Sequence, residues 1–70
     1  MQAGHVYEKT EIVGTSESSL SDAIERAVAR ACATLPHVDR FEVVETRGTV
    51  RDGKVESYRA VLKIGFRLED

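Results

Sequence analysis

Residues 40–68 read RFEVVETRGTVRDGKVESYRAVLKIGFRL, and this stretch decides the fold. Two segments rich in β-branched and aromatic residues, Arg40–Arg51 and Lys54–Leu68, flank the dipeptide Asp52-Gly53. An Asp-Gly pair between such segments favours a two-residue type I′ turn, because that turn needs positive φ at both central residues. The pattern therefore predicts a β-hairpin.

The register of the hairpin follows from this turn. With Arg51 opposite Lys54 and no bulge, the further pairs are Thr46 with Arg59, Val44 with Val61 and Glu42 with Lys63. The last strand alternates, and its apolar face carries Tyr58, Ala60, Leu62, Ile64, Phe66 and Leu68. This register adds Phe41, Val43, Glu45 and Arg47 to that face, and it places Arg40, Val44, Thr46, Arg59 and Val61 on the other.

The segment before the hairpin predicts a strand and a helix. Val6–Val13 is rich in strand-forming residues, and Gly14–Ser16 is expected to break that strand. Ser18 or Ser19 can cap a helix that runs to about Leu35, where the following proline ends it. Apolar residues recur in the helix at three- and four-residue spacing: Leu20, Ile24, Ala27, Val28, Ala31 and Leu35.

These elements predict an α+β fold, a single β-α-β-β domain over residues 1–70 with a three-stranded antiparallel sheet packed on one helix. A domain of 70 residues is marginal alone, because it buries only about 60% of the surface of its unfolded chain. Cys32 is the only cysteine, and His5 and His37 lie too far apart for a zinc motif. Self-assembly is therefore the expected source of stability.

Composition excludes several classes of function. Ten basic and twelve acidic residues give a formal net charge of −2. This charge does not provide the positive surface that binds nucleic acid or an anionic membrane. The absence of an export signal, of a long apolar run and of paired cysteines favours a cytoplasmic protein. No nucleophile elbow, P-loop or dinucleotide motif is present, so we expect a binding module and not an enzyme.

Arginines are the most informative polar residues. Arg40 and Arg59 share a sheet face in the predicted register, while Arg47 and Arg67 lie on alternate sides or ends. Guanidinium groups bind phosphates and carboxylates and stack on planar rings. The alternative is that they form ion pairs with nearby carboxylates, for which the candidates are Glu42, Glu45, Glu56 and Glu69.

Short segments in order along nearly the whole chain carry a family resemblance. They are Val6-Tyr7, Val13-Gly14-Thr15-Ser16, Ala29-Arg30-Ala31, His37-Val38-Asp39, Phe41-Glu42-Val43, Thr46-Arg47-Gly48 and Gly65-Phe66-Arg67-Leu68-Glu69. With these segments the chain resembles the dodecins. The resemblance implies a hollow homododecamer that binds flavins between subunits and stores them, a flavoprotein without enzymatic activity.

The chain departs from the dodecins at two flavin-binding positions. In the family a tryptophan precedes the Phe-Glu-Val segment and stacks on the flavin ring, and here that position is Arg40. A family glutamine that bonds the polar edge of the flavin is here Arg59. Across the family's two-fold axis, two copies of Arg40 would face each other and repel unless an anion lay between them.

Three interpretations stay open for the ligand. FMN or riboflavin binds more weakly, with Arg40, Arg47, Arg59 and Arg67 as the cofactor-binding residues. The site has changed to another anionic ligand such as coenzyme A, for which the resemblance suggests Tyr7, Arg30 and Arg67 as contacts. The site is closed, and the protein is a structural dodecameric shell.

Overall fold

The computed structural model describes residues 5–68 and shows four elements. They are β1 (Tyr7–Ser16), α1 (Leu20–Thr34), β2 (Val38–Arg51) and β3 (Lys54–Arg67). The strands form one antiparallel sheet in the order β1-β3-β2, so β3 is central and pairs with both others. The predicted β-α-β-β order is confirmed. Among residues 5–68, the single helix is too short to span a bilayer.

The expected strand break at Gly14–Ser16 is wrong. β1 continues through these residues, and Gly14 pairs with Ala60. A Cβ at Gly14 would lie 2.2 Å from the backbone oxygen of Ala23 and 2.9 Å from the Cβ of Ala27. Gly14 is therefore the place where α1 crosses β1 at close range, and the missing side chain permits that approach.

The helix begins where the serine cap predicts. The Ser19 side chain accepts a hydrogen bond of 3.0 Å from the backbone N–H of Asp22. At the other end, the Leu35 backbone N–H donates to the Ala31 oxygen at 2.8 Å, and the proline that follows ends the helix. Ser19, not Ser18, is the cap, and the predicted end near Leu35 is confirmed.

The core lies between one face of α1 and the helix side of β3. Its buried members are three alanines on the helix and one alanine with two larger residues on the strand: Ala23, Ala27, Ala31, Ala60, Leu62 and Ile64. The predicted larger helix residues are only partly buried and flank this core: Leu20, Ile24, Val28 and Leu35. Alanine in the centre lets the helix approach closely enough for Gly14 to contact it.

A small polar network joins the end of β1 to the first turn of α1. The Ser16 hydroxyl donates to Asp22 Oδ2 at 2.7 Å and accepts from the backbone N–H of Ser18 at 2.9 Å. Arg26 Nε donates to the same carboxylate oxygen at 2.8 Å. The hydrogen bond from Arg26, followed by that from Ser16, lowers the pKa of Asp22 below its ordinary value.

Replacing Asp22 with asparagine is expected to lower the melting temperature near pH 7 and to flatten its acid dependence. Because the pKa of Asp22 is lowered on folding, its contribution is complete above the unfolded pKa of about 3.9 and disappears as the pH falls through the folded value. Melting curves between about pH 2 and pH 7 measure this. Glu25→Gln, which removes an exposed carboxylate from the same helix, is the control; equal losses in both variants would contradict the role of Asp22.

The hairpin turn is confirmed, but the predicted register holds only in part. Asp52 and Gly53 have φ of 53° and 76°, as a type I′ turn requires. Arg51 pairs with Lys54 and Glu42 with Lys63 as expected. Between these pairs Thr46 lies opposite Ala60, Glu45 opposite Val61 and Arg47 opposite Arg59, which contradicts the uninterrupted register.

Two bulges on opposite strands explain the difference. Glu56 is an extra residue on β3, and Val44 is an extra residue on β2, so the second bulge restores the register that the first one shifted. A shift of one residue moves side chains to the other face. Glu45 and Arg47 therefore leave the apolar face on which they were expected, and Thr46 joins it. A further irregularity lies at Asp39.

Candidate functional site

The sheet has a second face, turned away from α1, which we call the outer face. On β3 it carries Ser57, Arg59, Val61, Lys63, Gly65 and Arg67, which alternate with the residues that pack on the helix. Register with the neighbouring strands adds Tyr7 and Thr15 from β1 and Arg40 and Arg47 from β2. All four arginines expected to bind a cofactor thus reach this face.

One group of residues lies at the end of the outer face where β1 begins. The Arg40 side chain crosses the sheet above Gly65, whose missing Cβ would lie 2.7 Å from Arg40 Cγ. The Arg40 guanidinium carbon is 4.8 Å from the centre of the Tyr7 ring. Asp39 accepts a 3.1 Å hydrogen bond from the Tyr7 hydroxyl and lies 3.5 Å from Arg40 Nε. Tyr7, Asp39, Arg40 and Gly65 form the Arg40 cluster.

Arg67 borders the Arg40 cluster. It lies opposite Tyr7 in the β1–β3 register and is half-buried. Its backbone N–H donates to the His37 oxygen at 3.1 Å, which fastens the end of β3 to the entry of β2. Among the residues that the structure describes, its guanidinium has no ion pair; Glu69, the expected acidic neighbour, lies outside them.

A second group lies further along the outer face. Arg47 and Arg59 are direct partners across β2 and β3, and with Gly48, Thr49 and Ser57 they line a shallow cleft of about 270 Å³. Arg47 Nε forms a short ion pair with Glu45 Oε2. The Thr49 and Ser57 hydroxyl oxygens are 2.7 Å apart. We call this group the arginine cleft.

The Arg40 cluster and the arginine cleft are separate within one chain. Arg40 lies opposite Gly65 and Arg47 opposite Arg59, and the distance along β3 from Gly65 to Arg59 is about 20 Å at 3.3 Å per residue. Arg40 and Arg59 therefore cannot hold the same small ring system from one chain. A site that uses both needs a second copy of the protein.

The suggested coenzyme A contacts are also divided. Arg30 is exposed on α1 and lines a cleft of about 430 Å³ between the helix and β1, together with Thr10, Gly14 and Thr34. This cleft lies on the helix side of the sheet, whereas Tyr7 is on the outer face. The structure brings Tyr7 and Arg67 together and leaves Arg30 apart from them.

One of the carboxylates expected as alternative partners pairs with one of the four arginines, and the others that the structure describes pair elsewhere. Glu45 pairs with Arg47, and Glu56 lies 3.2 Å from Arg51. Glu42 binds Lys9 at 2.8 Å, and this hydrogen bond lowers the pKa of Glu42. Its partner is thus a lysine on the far strand and not an arginine.

Sequence reasoning missed several residues of these two groups. Asp39 and Gly65 hold Arg40 in place, and Thr49 and Ser57 line the arginine cleft. Gly65 carried a usable signal, because a glycine inside an alternating strand indicates close approach of another group. The others acquire their positions only from strand order and bulges.

Comparison with known proteins decides the family. The family model for dodecin matches residues 6–69. The dodecin of Thermus thermophilus is 55% identical over 67 residues, which cover 96% of this chain and 97% of the relative. The chain belongs to the dodecin family. The expected family resemblance is thereby confirmed.

Solved dodecin structures share this architecture. A tryptophan-to-phenylalanine variant of the T. thermophilus dodecin superposes with a TM-score of 0.88 at 55% identity, covering 96% of this chain and 100% of that one. That dodecin therefore contains a tryptophan, whereas this one contains none. The calcium dodecin of Mycobacterium tuberculosis, described as having a novel calcium-binding site, has a TM-score of 0.77 at 32% identity and 91% coverage of both chains. In this dodecin, no cluster of three potential metal ligands occurs within residues 5–68.

Proposed function

We propose that this dodecin is a homododecameric flavin-binding and storage protein whose flavin site is altered at Arg40 and Arg59 and binds more weakly than a tryptophan site. It acts as a cytoplasmic binding module without catalysis, formed by a single domain of residues 1–70. FMN or riboflavin is the cofactor, held between subunits by Arg40, Arg47, Arg59 and Arg67. The dodecin matches along the chain support the family's function.

The arrangement of Arg40 carries the proposal. Its guanidinium lies over the Tyr7 ring, its aliphatic stem crosses Gly65, and the side chain is still 65% exposed. A planar cation on a flat platform can stack on a second ring, so an isoalloxazine can replace solvent there. Such a contact contributes about 0.5–2 kcal/mol, less than the burial of a tryptophan provides.

The separation of the two groups supports the assembly. In a two-fold contact the same surface serves both partners, so residue i of one meets residue j of the other. Two outer faces placed antiparallel would bring the Arg40 cluster of one subunit towards the arginine cleft of its neighbour. The apolar side chains exposed on this small protomer also need cover: among them are Val6, Val13, Phe41, Val43, Val44, Val50 and Val55.

A second candidate function rests on the charge of the same face. Arg59 and Arg67 have no carboxylate partner among residues 5–68, which favours an anionic ligand such as coenzyme A over a neutral one. Tyr7 and Arg67 would contact it from one subunit. Because Arg30 lies on the helix side of the sheet, it would contact a different part of the same ligand or a ligand held by another subunit. A closed structural shell is the outcome if neither ligand binds.

Flavin titration tests the proposal. Fluorescence of riboflavin and FMN is expected to be quenched on binding at micromolar protein, and sedimentation is expected to give a twelve-subunit particle. The variant Arg51→Ala is expected to bind flavin as the parent does, because Arg51 lies at the end of the hairpin and pairs with Glu56. Absence of quenching with both flavins would refute flavin binding, and a stable monomer in sedimentation would refute the assembly.

A further inference from the structure

Asp39 lies on the same face of the sheet as its neighbour Arg40. In a regular strand, consecutive side chains point to opposite faces. The register between β2 and β3 shifts between Val38 and Arg40, so Asp39 is an extra residue at this point, and a bulge of this kind redirects a side chain. The carboxylate therefore reaches two groups of the outer face, the Tyr7 hydroxyl at 3.1 Å and Arg40 Nε at 3.5 Å.

The two oxygens of this carboxylate have different partners. Oδ2 accepts the hydrogen bond from Tyr7, which fixes the ring that lies against the Arg40 guanidinium. Oδ1 lies beside Arg40 Nε and balances its positive charge. The stem of Arg40 crosses Gly65 on the central strand. The guanidinium is thus held by contacts with all three strands.

The Arg40 cluster therefore presents a flat surface on which the arginine charge is balanced. Lys9 lies in the same cross-strand row, opposite Gly65, and it is paired with Glu42, so this row carries no excess charge. A neutral ring can stack on the guanidinium at no electrostatic cost. A ring with a negative charge gains from the guanidinium and loses against the carboxylate beside it.

We propose that Asp39 determines which charge of ring the Arg40 cluster accepts, because it balances Arg40 and holds Tyr7 against it. The inference rests on the proposed function, since it concerns the ring of the flavin. Asp39 acts through Arg40 and is therefore a positioning residue. Arginine at position 40 does not by itself make an anion site; it becomes one when the carboxylate is removed.

Two rings that differ by one carboxylate test the selectivity. Lumiflavin is neutral, lumiflavin-3-acetate carries a negative charge beside the ring, and neither has a phosphate. In fluorescence titrations, Asp39→Asn is expected to shift the ratio of the two affinities about fivefold towards the acetate, because Arg40 is left unbalanced. Arg67, which borders the cluster, is the same in every variant, so its charge cancels in the comparison.

Asp52→Asn is the matched control for this titration. It makes the same chemical change at the hairpin turn, where the φ of 53° suits asparagine as well as aspartate. The ratio of affinities in this variant is expected to stay within about twofold of the parent. Circular dichroism and sedimentation establish that each variant folds and assembles as the parent does.

Melting curves test the link between Asp39 and Arg40 without any ligand. The parent, Asp39→Asn, Arg40→Gln and the double variant form a double-mutant cycle. The loss of melting temperature caused by Asp39→Asn is expected to be smaller when residue 40 is glutamine, because glutamine has no charge to balance. Added sodium chloride is expected to reduce the difference, since it screens exposed charges.

Each outcome separates the inference from the flavin function. A shift towards the acetate that disappears in the double variant supports the inference. If neither ring binds to the parent, the flavin function fails, and the melting cycle still decides: coupling of Asp39 with Arg40 supports the inference, and equal losses in both backgrounds overturn it. An unchanged ratio in Asp39→Asn, with lumiflavin bound, overturns the inference and leaves the flavin function standing.

Discussion

Replacing Gly14 with alanine is expected to lower the free energy of unfolding by about 3 kcal/mol or more. The added Cβ would lie 2.2 Å from the Ala23 backbone oxygen, and a carbonyl oxygen fixed in the helical backbone cannot turn aside. To make room, α1 must move away from β1, which opens the contact between Ala23, Ala27 and the strand. Since small domains have little stability to lose, Gly14→Val is expected not to fold.

Denaturant titration of Gly14→Ala measures this loss, with Thr15→Ala as the control. Thr15 is the next residue of β1 and is exposed on the outer face, so its replacement is expected to change stability by less than about 1 kcal/mol. Removing the Ala27 methyl group as well is not expected to restore Gly14→Ala, because the nearest obstacle is backbone. A cooperative transition at the parent's midpoint would show that α1 does not approach β1 as described.

The double substitution Arg40→Trp with Arg59→Gln is expected to raise the affinity for riboflavin by about tenfold or more. A fully enclosed tryptophan buries about 150–250 Å², and covering about half of that area in a stack contributes about 2–3 kcal/mol at 25 cal/mol per Å². This exceeds the 0.5–2 kcal/mol of an arginine–ring contact by about 1–2 kcal/mol. Gly65 lies directly beneath residue 40, so a flat indole has space on the sheet. The glutamine adds neutral donors and acceptors for the flavin edge in place of a charge.

Quenching of flavin fluorescence by the parent protein and by the double variant gives the ratio of their affinities. Arg51→Trp with Lys54→Gln is the matched control, because it introduces the same residues at a cross-strand pair at the end of the hairpin. We expect no gain in that variant. If the Arg40 and Arg59 variant also gains nothing, these positions do not contact flavin and the proposed site is wrong.

Local features of this fold could be predicted because their determinants are local. Asp52 and Gly53 adopt positive φ since these residue types tolerate it, and Ser19 caps α1 since its hydroxyl reaches the next turn. Gly14 shows the limit of such reasoning. The same residue suits a strand break and a close helix contact, and only the packing of α1 decides between them.

The sequence singles out the arginines of the candidate site but does not give their geometry. The arginines are distinctive by their chemistry. The pairing of Arg47 with Arg59 depends on bulges at Val44 and Glu56, and these bulges have no characteristic residue type. The contact of Arg40 with Tyr7 depends on β3 lying between β1 and β2. Strand order is set by how the whole chain packs, so neither contact could be read from neighbouring residues.

The exposure of β2 has a consequence for the life of a newly synthesised chain. Every residue of β2 except Val38 is exposed, and β2 is an edge strand of the sheet. Unpaired strand edges with apolar side chains attract chaperones, proteases and other unfinished chains. If the chain assembles as proposed, a copy without a partner leaves this edge open to proteolysis and aggregation until a second copy covers it.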